Sequence, residues 1–366
     1  MTTDARQLNT DSGARPVDGA RVEAFAETLF GFYTGGMLTY LVDIGHTTGL
    51  FAAAADGPAT SDELARRTGL HERYVREWLG AMVTAGVFSY EPPTDAYELP
   101  AEHAVCLTGS TSSNLAPFSL LNTHLAKHVG QVTRAFREGG GVPYEEFRPE
   151  FTDVMDALGR GGFDEQLLSG WLDLVPGLRE QLTAGARVAD IGCGTGHAMV
   201  LLARAFPASS FVGYDIAEDA IAAARREAAE HGVDNVRFEV RDAATLVVDE
   251  PFDVVFVFDA IHDQVAPDEV LRRVHDMLAP SGLFVMFEPH ASSNLEDNVA
   301  HPLAPFLYAI STLHCLTISL AHDGAGLGTV WGEQLAREML RDAGFGEVRV
   351  RDVPDDPLNA CYIVRR

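Results

Sequence analysis

Between Ala184 and Phe345 the chain alternates short runs rich in β-branched and aromatic residues with longer runs carrying apolar residues at helical spacing. In order these are "RVADIGC", "AMVLLARAF", "SSFVGYDI", "AEDAIAAARREAAEHG", "VRFEVRD", "FDVVFVFD", "PDEVLRRVHDMLAP", "GLFVMFEP" and "EQLAREMLRDAGF". Such an order leaves little choice but an α/β fold: a parallel sheet with helices packed on both faces. The unbroken apolar run Phe252–Phe258 predicts a central strand, covered on both sides. "EVRVRDV" and "ACYIVRR" follow with no helix between them, which predicts a closing antiparallel pair. Ligands of open α/β sheets collect beyond the carboxyl ends of the strands. The residues just after each strand are therefore the first place to look for a site.

Those positions are unusually acidic and glycine-rich. "VADIGCGTG" sets Asp190, Gly192, Gly194 and Gly196 at the first strand-to-helix turn, where glycine permits a tight bend and close approach of a ligand. Asp215, with Ile216 beside it, ends the second strand about twenty residues later, where a carboxylate can accept both hydroxyls of a ribose. Asp242 ends the third, placed to take an adenine amino group with Ala243 against the ring. Asp259 ends the fourth, and His262 and Asp263 come within four positions of it. Each acid alone reads equally as a helix cap, but acids at three successive strand ends read as a nucleoside site. The GCGTG spacing is shorter than the GxGxxG of a pyrophosphate loop. An acid ahead of it, Asp190, suits a ligand carrying positive charge.

Taken in order, "VADIGCGTG", "GYDI", "RDA" and "FDVVFVFDAIHD" resemble the motifs of class I S-adenosylmethionine-dependent methyltransferases. The resemblance covers residues 184–366. It implies a Rossmann-like sheet and S-adenosylmethionine held by Asp190, Gly192, Gly194, Gly196, Asp215, Ile216, Asp242, Ala243 and Asp259.

The first half reads differently. Apolar residues from Val22 to about Ala55 recur at helical spacing, interrupted by Gly35-Gly36, and predict two helices. Ser61 can cap a helix beginning at Asp62-Glu63, Thr68-Gly69 makes a turn, and a second helix runs from His71 to Gly86. Strand-like Val87–Tyr90 and Ala96–Leu99 flank a Pro-Pro turn, completing a winged helix. A winged helix ahead of this catalytic domain resembles the two-domain small-molecule methyltransferases, in which it pairs subunits and lids the pocket. The expected organisation is a disordered tail over residues 1–20, a winged-helix dimerisation domain over 21–110, a helical linker and lid over 111–182, and the cofactor domain over 183–366. The run from His301 to Phe345 is similar to a bacterial and metazoan methyltransferase subgroup, some members of which carry regulator names.

Two roles compete for His262. In winged-helix O-methyltransferases, a histidine in a similar His-Asp-Trp context is the general base that removes a phenol proton. "IHDQVAPDEV" matches that context with Gln264 in place of the tryptophan. A histidine suits the task because its pKa lies near working pH. The other role comes from His290, His301, His314 and His322, which crowd the segment after the fifth strand. His314 and His262, with the adjacent Asp263, resemble the ligands of a mononuclear iron in aromatic 2-ketoacid C-methyltransferases. On that resemblance, His262 and His314 hold iron or another divalent metal. Glu288 either contacts substrate or caps a loop, and Trp331, in the glycine-rich loop 322–332, is either core or pocket wall.

Charge bears on partners. With 53 acidic against 27 basic residues the formal charge is −26, which disfavours nucleic acid. A regulator reading rests on Arg66, Arg67, Arg73 and Arg76 near the would-be recognition helix, but interleaved acids cancel them locally. Four cysteines without metal spacing, and a start without an apolar signal segment, predict a reduced, cytoplasmic protein. No apolar run reaches the roughly 18 residues of a membrane span. The expected partners are a small, aromatic or apolar acceptor and a second copy of the chain.

Overall fold

The computed structural model describes residues 17–366. The tail expected over residues 1–20 lies outside them, save its last four positions. The chain opens with α1 (Gly19–Thr47), whose N-terminus is capped by Asp18. This is one helix of 29 residues, not two. Gly35 and Gly36 stay helical because glycine in a helix interior costs only about 1 kcal/mol. The break falls later, at Gly49, whose φ of 74° is left-handed and starts α2 (Leu50–Ala54).

The winged helix follows as α3 (Ser61–Thr68), α4 (Glu72–Thr84), β1 (Ser89–Glu91), β2 (Ala96–Glu98) and α5 (Ala101–Leu107). Thr60, rather than Ser61, caps α3, in a reciprocal capping box with Glu63, while the Ser61 hydroxyl donates to Glu72. Leu50, Phe51, Leu64, Trp78, Leu79, Met82 and Phe88 form its core. Helices α6 (Phe118–Ala126), α7 (Val129–Glu138), α8 (Glu150–Gly162) and α9 (Leu178–Ala184) make the connecting segment, with a π-helical turn at Phe163–Leu167.

The second half alternates as expected: β3 (Arg187–Ile191), α10 (His197–Ala205), β4 (Ser210–Asp215), α11 (Glu218–Glu230), β5 (Val236–Val240), β6 (Phe252–Phe258), α12 (Pro267–Met277) and β7 (Leu278–Pro289). Three short helices come next, α13 (Leu295–Asn298), α14 (Ala304–Ile310) and α15 (Leu316–Leu320), then α16 (Gly332–Asp342), β8 (Arg349–Val353) and β9 (Asp356–Arg365). A π-helical turn, Ser311–Cys315, joins α14 to α15. The seven strands lie in the order β5-β4-β3-β6-β7-β9-β8. Strands β3 to β7 are mutually parallel, and β9 runs antiparallel between β7 and β8. Apolar layers fill both faces, one including Val254, Phe256 and Leu202, the other Val255, Val257 and Leu271. The strand order reverses between β3 and β6, where the glycine loop and the Asp259–His262 turn stand side by side.

Candidate active site

The glycine loop leaves β3 with Gly192, Gly194 and Gly196 at φ values of 73°, 53° and 74°, a region costly for other residues. Their surroundings differ. A Cβ on Gly192 would strike Ala260, and one on Gly196 would strike Phe238, whereas a Cβ on Gly194 would meet nothing within 4 Å. Gly194 therefore faces open space at the strand ends. Behind the loop, Asp190 is buried and its Oδ1 has no hydrogen-bond partner among the described residues. Burial, with the Asp215 charge, pushes its carboxyl well above the ordinary range. A bound ammonium would relieve both conditions. The residues present thus fit a cationic amino-acid group.

Asp215 accepts the Gly194 N–H at 2.8 Å through Oδ2 and the Ala217 N–H at 2.8 Å through Oδ1. Each carboxylate oxygen keeps a lone pair for a ribose hydroxyl. Beside it Ile216 is 58 % exposed, a large apolar surface bare at the same strand end. Asp242 caps a 3₁₀ turn through Ala244 N–H at 2.9 Å, and Ala243 packs against the apolar layer. Asp259, in contrast, turns toward β9. Its Oδ2 accepts from Asn359 at 3.1 Å, and burial together with the Glu288 charge raises its carboxyl to about 8.

The histidine cluster lies one turn beyond. His262 Nδ1 bonds Glu288 Oε2 at 2.6 Å, and its Nε2 stands 3.3 Å from Asp263 Oδ1. Glu288, fully buried at the end of β7, also accepts the Ile261 N–H at 2.7 Å and the Trp331 indole N–H at 3.2 Å. Three donors fix this carboxylate, and it fixes the His262 ring. Burial disfavours the imidazolium, but the charges of Glu288 and Asp263 outweigh it, so the His262 pKa lies well above the ordinary value.

His314 comes from the π-helical turn, with Nδ1 4.0 Å from Asp263 Oδ2. Phe151 stacks on its ring at 3.9 Å between centroids, and Phe147 meets it edge-on at 4.7 Å. Burial in this aromatic box lowers its pKa to about 4, so the ring is neutral at pH 7. Its Nε2 and Asp263 Oδ1 are both buried without a hydrogen-bond partner among the described residues. Cys315 closes the cluster, its thiol pushed up to about 11 by burial. His262, Asp263 and Cys315 offer ligand atoms within 4.8 Å of one another, and His314 approaches this group through Asp263; an imidazole, a carboxylate and a thiol are donors a first-row divalent ion accepts.

Of the four late histidines only His314 reaches this site. His290 and His301 pair elsewhere at 6.3 Å between centroids, and His322 lies half-exposed near Glu145. Tyr144 joins the two half-sites: it meets His314 edge-on at 6.1 Å, and burial with the charges of Asp215 and Asp263 pushes its phenol upward. Sequence reasoning left Glu288 and Trp331 with open roles and passed over Tyr144, Phe147 and Phe151. Their one signal was the aromatic spacing in "PYEEFRPEF". In the winged helix, Arg73 pairs with Glu77 and Arg76 with Glu72, while Arg66 and Arg67 donate to backbone carbonyls.

Known proteins fit this arrangement. Residues 182–349 match the family described as "Methyltransferase domain", and residues 36–109 the "Rv2258c-like winged HTH domain". An indolepyruvate C-methyltransferase of Streptomyces griseus is 27 % identical over 77 % of this chain and 82 % of its own length. The acetylserotonin O-methyltransferase of Mus musculus is 26 % identical over 94 % and 90 %. Other curated relatives match less of themselves: the chain spans 62 % of a Talaromyces variabilis S-adenosyl-L-methionine-dependent Diels-Alderase and 47 % of a Variovorax paradoxus trans-aconitate 2-methyltransferase. Among solved structures, mitomycin 7-O-methyltransferase MmcR superposes with a TM-score of 0.70 at 18 % identity, covering 95 % of this chain and all of that one. Human N-acetylserotonin methyltransferase in complex with SAM gives 0.67 at 16 %, covering 97 % and 99 %. At such identities the likeness speaks for the fold. Fold, strand-end site and family matches together define a class I S-adenosylmethionine-dependent methyltransferase domain behind a winged helix. The two matches place a methyltransferase domain behind a winged helix in one chain.

Proposed function

We propose that the protein transfers a methyl group from S-adenosylmethionine to an oxygen or activated carbon of a small aromatic acceptor, with His262 as the base that takes the acceptor's proton. Bound S-adenosylmethionine supplies an electrophilic methyl group on its sulfonium. The glycine loop and Asp190 receive the amino-acid end, Asp215 the ribose, and Ile216, Asp242 and Ala243 the adenine. The observation that carries the reading is the His262–Glu288 pair, a buried imidazole whose Nδ1–H is held by a carboxylate with no other freedom. That bond turns Nε2 toward the space beside Asp263. In its neutral form, which the positive sulfonium of the bound cofactor favours over the imidazolium, it can take the acceptor's hydroxyl proton while that oxygen bonds the methyl carbon and S-adenosylhomocysteine leaves, and Glu288 stabilises the resulting imidazolium. The rings of Tyr144, Phe147 and Phe151 favour a flat apolar acceptor. His262→Ala, assayed against a panel of phenols and aromatic 2-oxo acids, tests this: S-adenosylhomocysteine affinity should persist while turnover falls. Unchanged turnover would refute it.

A second reading gives His262, Asp263 and His314 to a divalent metal. The unpartnered Asp263 Oδ1 and His314 Nε2 support it, as does Glu288 behind His262, since metal-bound histidines usually rest on a carboxylate. Such an ion would polarise a chelated carbonyl. Elemental analysis of the purified protein, with His314→Ala beside it, separates the two: an active, metal-free enzyme indifferent to His314→Ala excludes the metal.

The partner reading is a homodimer. Along α1, Phe25, Phe30, Phe32, Tyr33 and Met37 are each at least 61 % exposed, an apolar stripe too extensive for a lone helix. Sedimentation as a monomer at micromolar concentration would remove it. The location we propose is cytoplasmic, a reading supported by four cysteines that are free of disulfides; no helix among the described residues is long and apolar enough to cross a membrane.

A further inference from the structure

The glycine loop has a problem of its own making. Gly194 and Gly196 flank Thr195 with left-handed backbone on both sides; the base of the loop is tied by Gly192 and Cys193 N–H to Tyr214 O and by Gly196 N–H to Cys193 O, which leaves the side of its apex at Thr195 to be fixed. It must be held from outside. One tether is Asp215, which accepts the Gly194 N–H. The other comes from the connecting segment: the Thr195 hydroxyl donates to Asp156 Oδ1 of α8 at 2.6 Å.

That second tether is itself braced. Arg160, one turn along α8, grips Asp156 with two hydrogen bonds, Nε to Oδ2 at 2.9 Å and Nη2 to Oδ1 at 2.8 Å. The same guanidinium reaches Glu227 of α11 at 2.9 and 3.2 Å. Glu227 bonds His197 Nδ1, and His197 begins α10 two residues after Thr195. The Nε2 of His197 meets Asp164 at 2.9 Å. Thr195, Asp156, Arg160, Glu227 and His197 thus form a closed polar ring that starts and ends at the glycine loop. A parallel clasp, Arg148 and Thr152 to Asp219 at the head of α11, keeps the front of α8 in register. Surface ion pairs contribute little singly, but a chain in which Asp156, Arg160, Glu227 and His197 are each bonded to two other members fixes geometry.

We infer that Asp156 and Arg160 of α8 are positioning residues for cofactor binding, acting through the Thr195 hydroxyl to set the glycine loop. Neither need touch the cofactor. The same helix carries Phe151, which stacks on His314, so one rigid element sets the cofactor loop and the acceptor wall together. The inference rests on the reading that this loop holds S-adenosylmethionine.

Calorimetry with S-adenosylhomocysteine on the full chain tests it. Thr195→Val, which keeps the shape and loses the hydroxyl, and Asp156→Asn should each weaken binding by about tenfold or more, the usual worth of a hydrogen bond to a charged group. Thr195→Ser should restore wild-type affinity, and the double variant should bind no more weakly than the worse single one. Thermal midpoints without ligand show whether each variant is folded, and the serine variant keeps the test open if valine is not tolerated. Wild-type affinity in Thr195→Val, failure of Thr195→Ser, or fully additive losses would each overturn the inference. A wild-type protein that binds no S-adenosylhomocysteine would instead overturn the cofactor reading.

Discussion

The two half-sites are built on opposite plans. At the cofactor half, consecutive strand ends of β3, β4 and β5 supply the groups in chain order, and much of the holding is done by backbone N–H and by space that only glycine leaves open. At the acceptor half, side chains from four distant segments converge: His262 and Asp263 after β6, Glu288 from β7, His314 from the π-helical turn, and Trp331 from the loop before α16. A site of backbone and topology can be read as a linear motif. A site of converging side chains has to be folded before its members meet.

This difference predicts that damage separates cleanly between binding and turnover. The largest effect is expected for His262→Ala, a loss of about 10²–10⁴ in turnover with S-adenosylhomocysteine affinity nearly unchanged. A matching loss of affinity, measured by calorimetry, would show that the halves are not separable. Next comes Asp215→Ala, or Gly194 replaced by a bulky residue. Affinity should fall by about ten- to a hundredfold, because the first removes the loop's anchor and the ribose acceptor and the second fills the open space. Trp331→Phe keeps the ring but not the donor to Glu288, and should lower kcat by roughly threefold to tenfold while leaving cofactor affinity alone.

The smallest effect concerns the ring beneath the glycine loop. Its Glu227 carboxyl is partly buried, yet bonds from His197 and Arg160 bring it from 4.5 down to about 2. His197 is raised above 6.5, since Glu227 and Asp164 outweigh its burial. A lowered acid contributes stability above its unfolded value that is lost as pH falls toward 2. A raised histidine contributes below 6.5 and loses that contribution as pH climbs through its folded value. The thermal midpoint should therefore be highest between about pH 4.5 and 6.5 on this account and decline by a few degrees on either side. Glu227→Gln should flatten both limbs, and an unchanged profile would mean that the ring contributes nothing.

The sequence disclosed these halves unequally. The alternation of strands and helices along the chain, the antiparallel closing pair and the positions of Asp190, Asp215 and Asp242 followed from periodicity and turn chemistry, because each depends on neighbours close in the chain. Gly35-Gly36 misled because a glycine only weakens a helix, whereas the break came where Gly49 needs a left-handed backbone. Glu288 was ambiguous because its meaning lies in Trp331, 43 positions away, and in a ring nitrogen of His262. No local pattern encodes that meeting. The pairing of His262 with His314 was reached through resemblance; both stand near Asp263, at 3.3 and 4.0 Å, but the group whose donor atoms lie within 4.8 Å of one another has Cys315 in place of His314.

The place of β9 has a consequence in time. It lies between β7 and β8, pairing Glu288 with Ala360 across the ladder, and its Asn359 reaches Asp259. A ribosome that has just made Glu288 must add 77 more residues, 365 − 288, before the strand carrying that carboxylate has both neighbours. At roughly 5–20 residues per second this is a wait of about 4–15 s. During that interval one edge of β7 is open, and the acceptor half cannot yet exist. The cofactor half, whose strands β3 to β5 end by residue 240 and whose β3 gains its second neighbour with β6 by residue 258, can form while the rest is still being synthesised. Nascent chains arrested at increasing lengths should therefore gain S-adenosylhomocysteine binding before they gain catalysis.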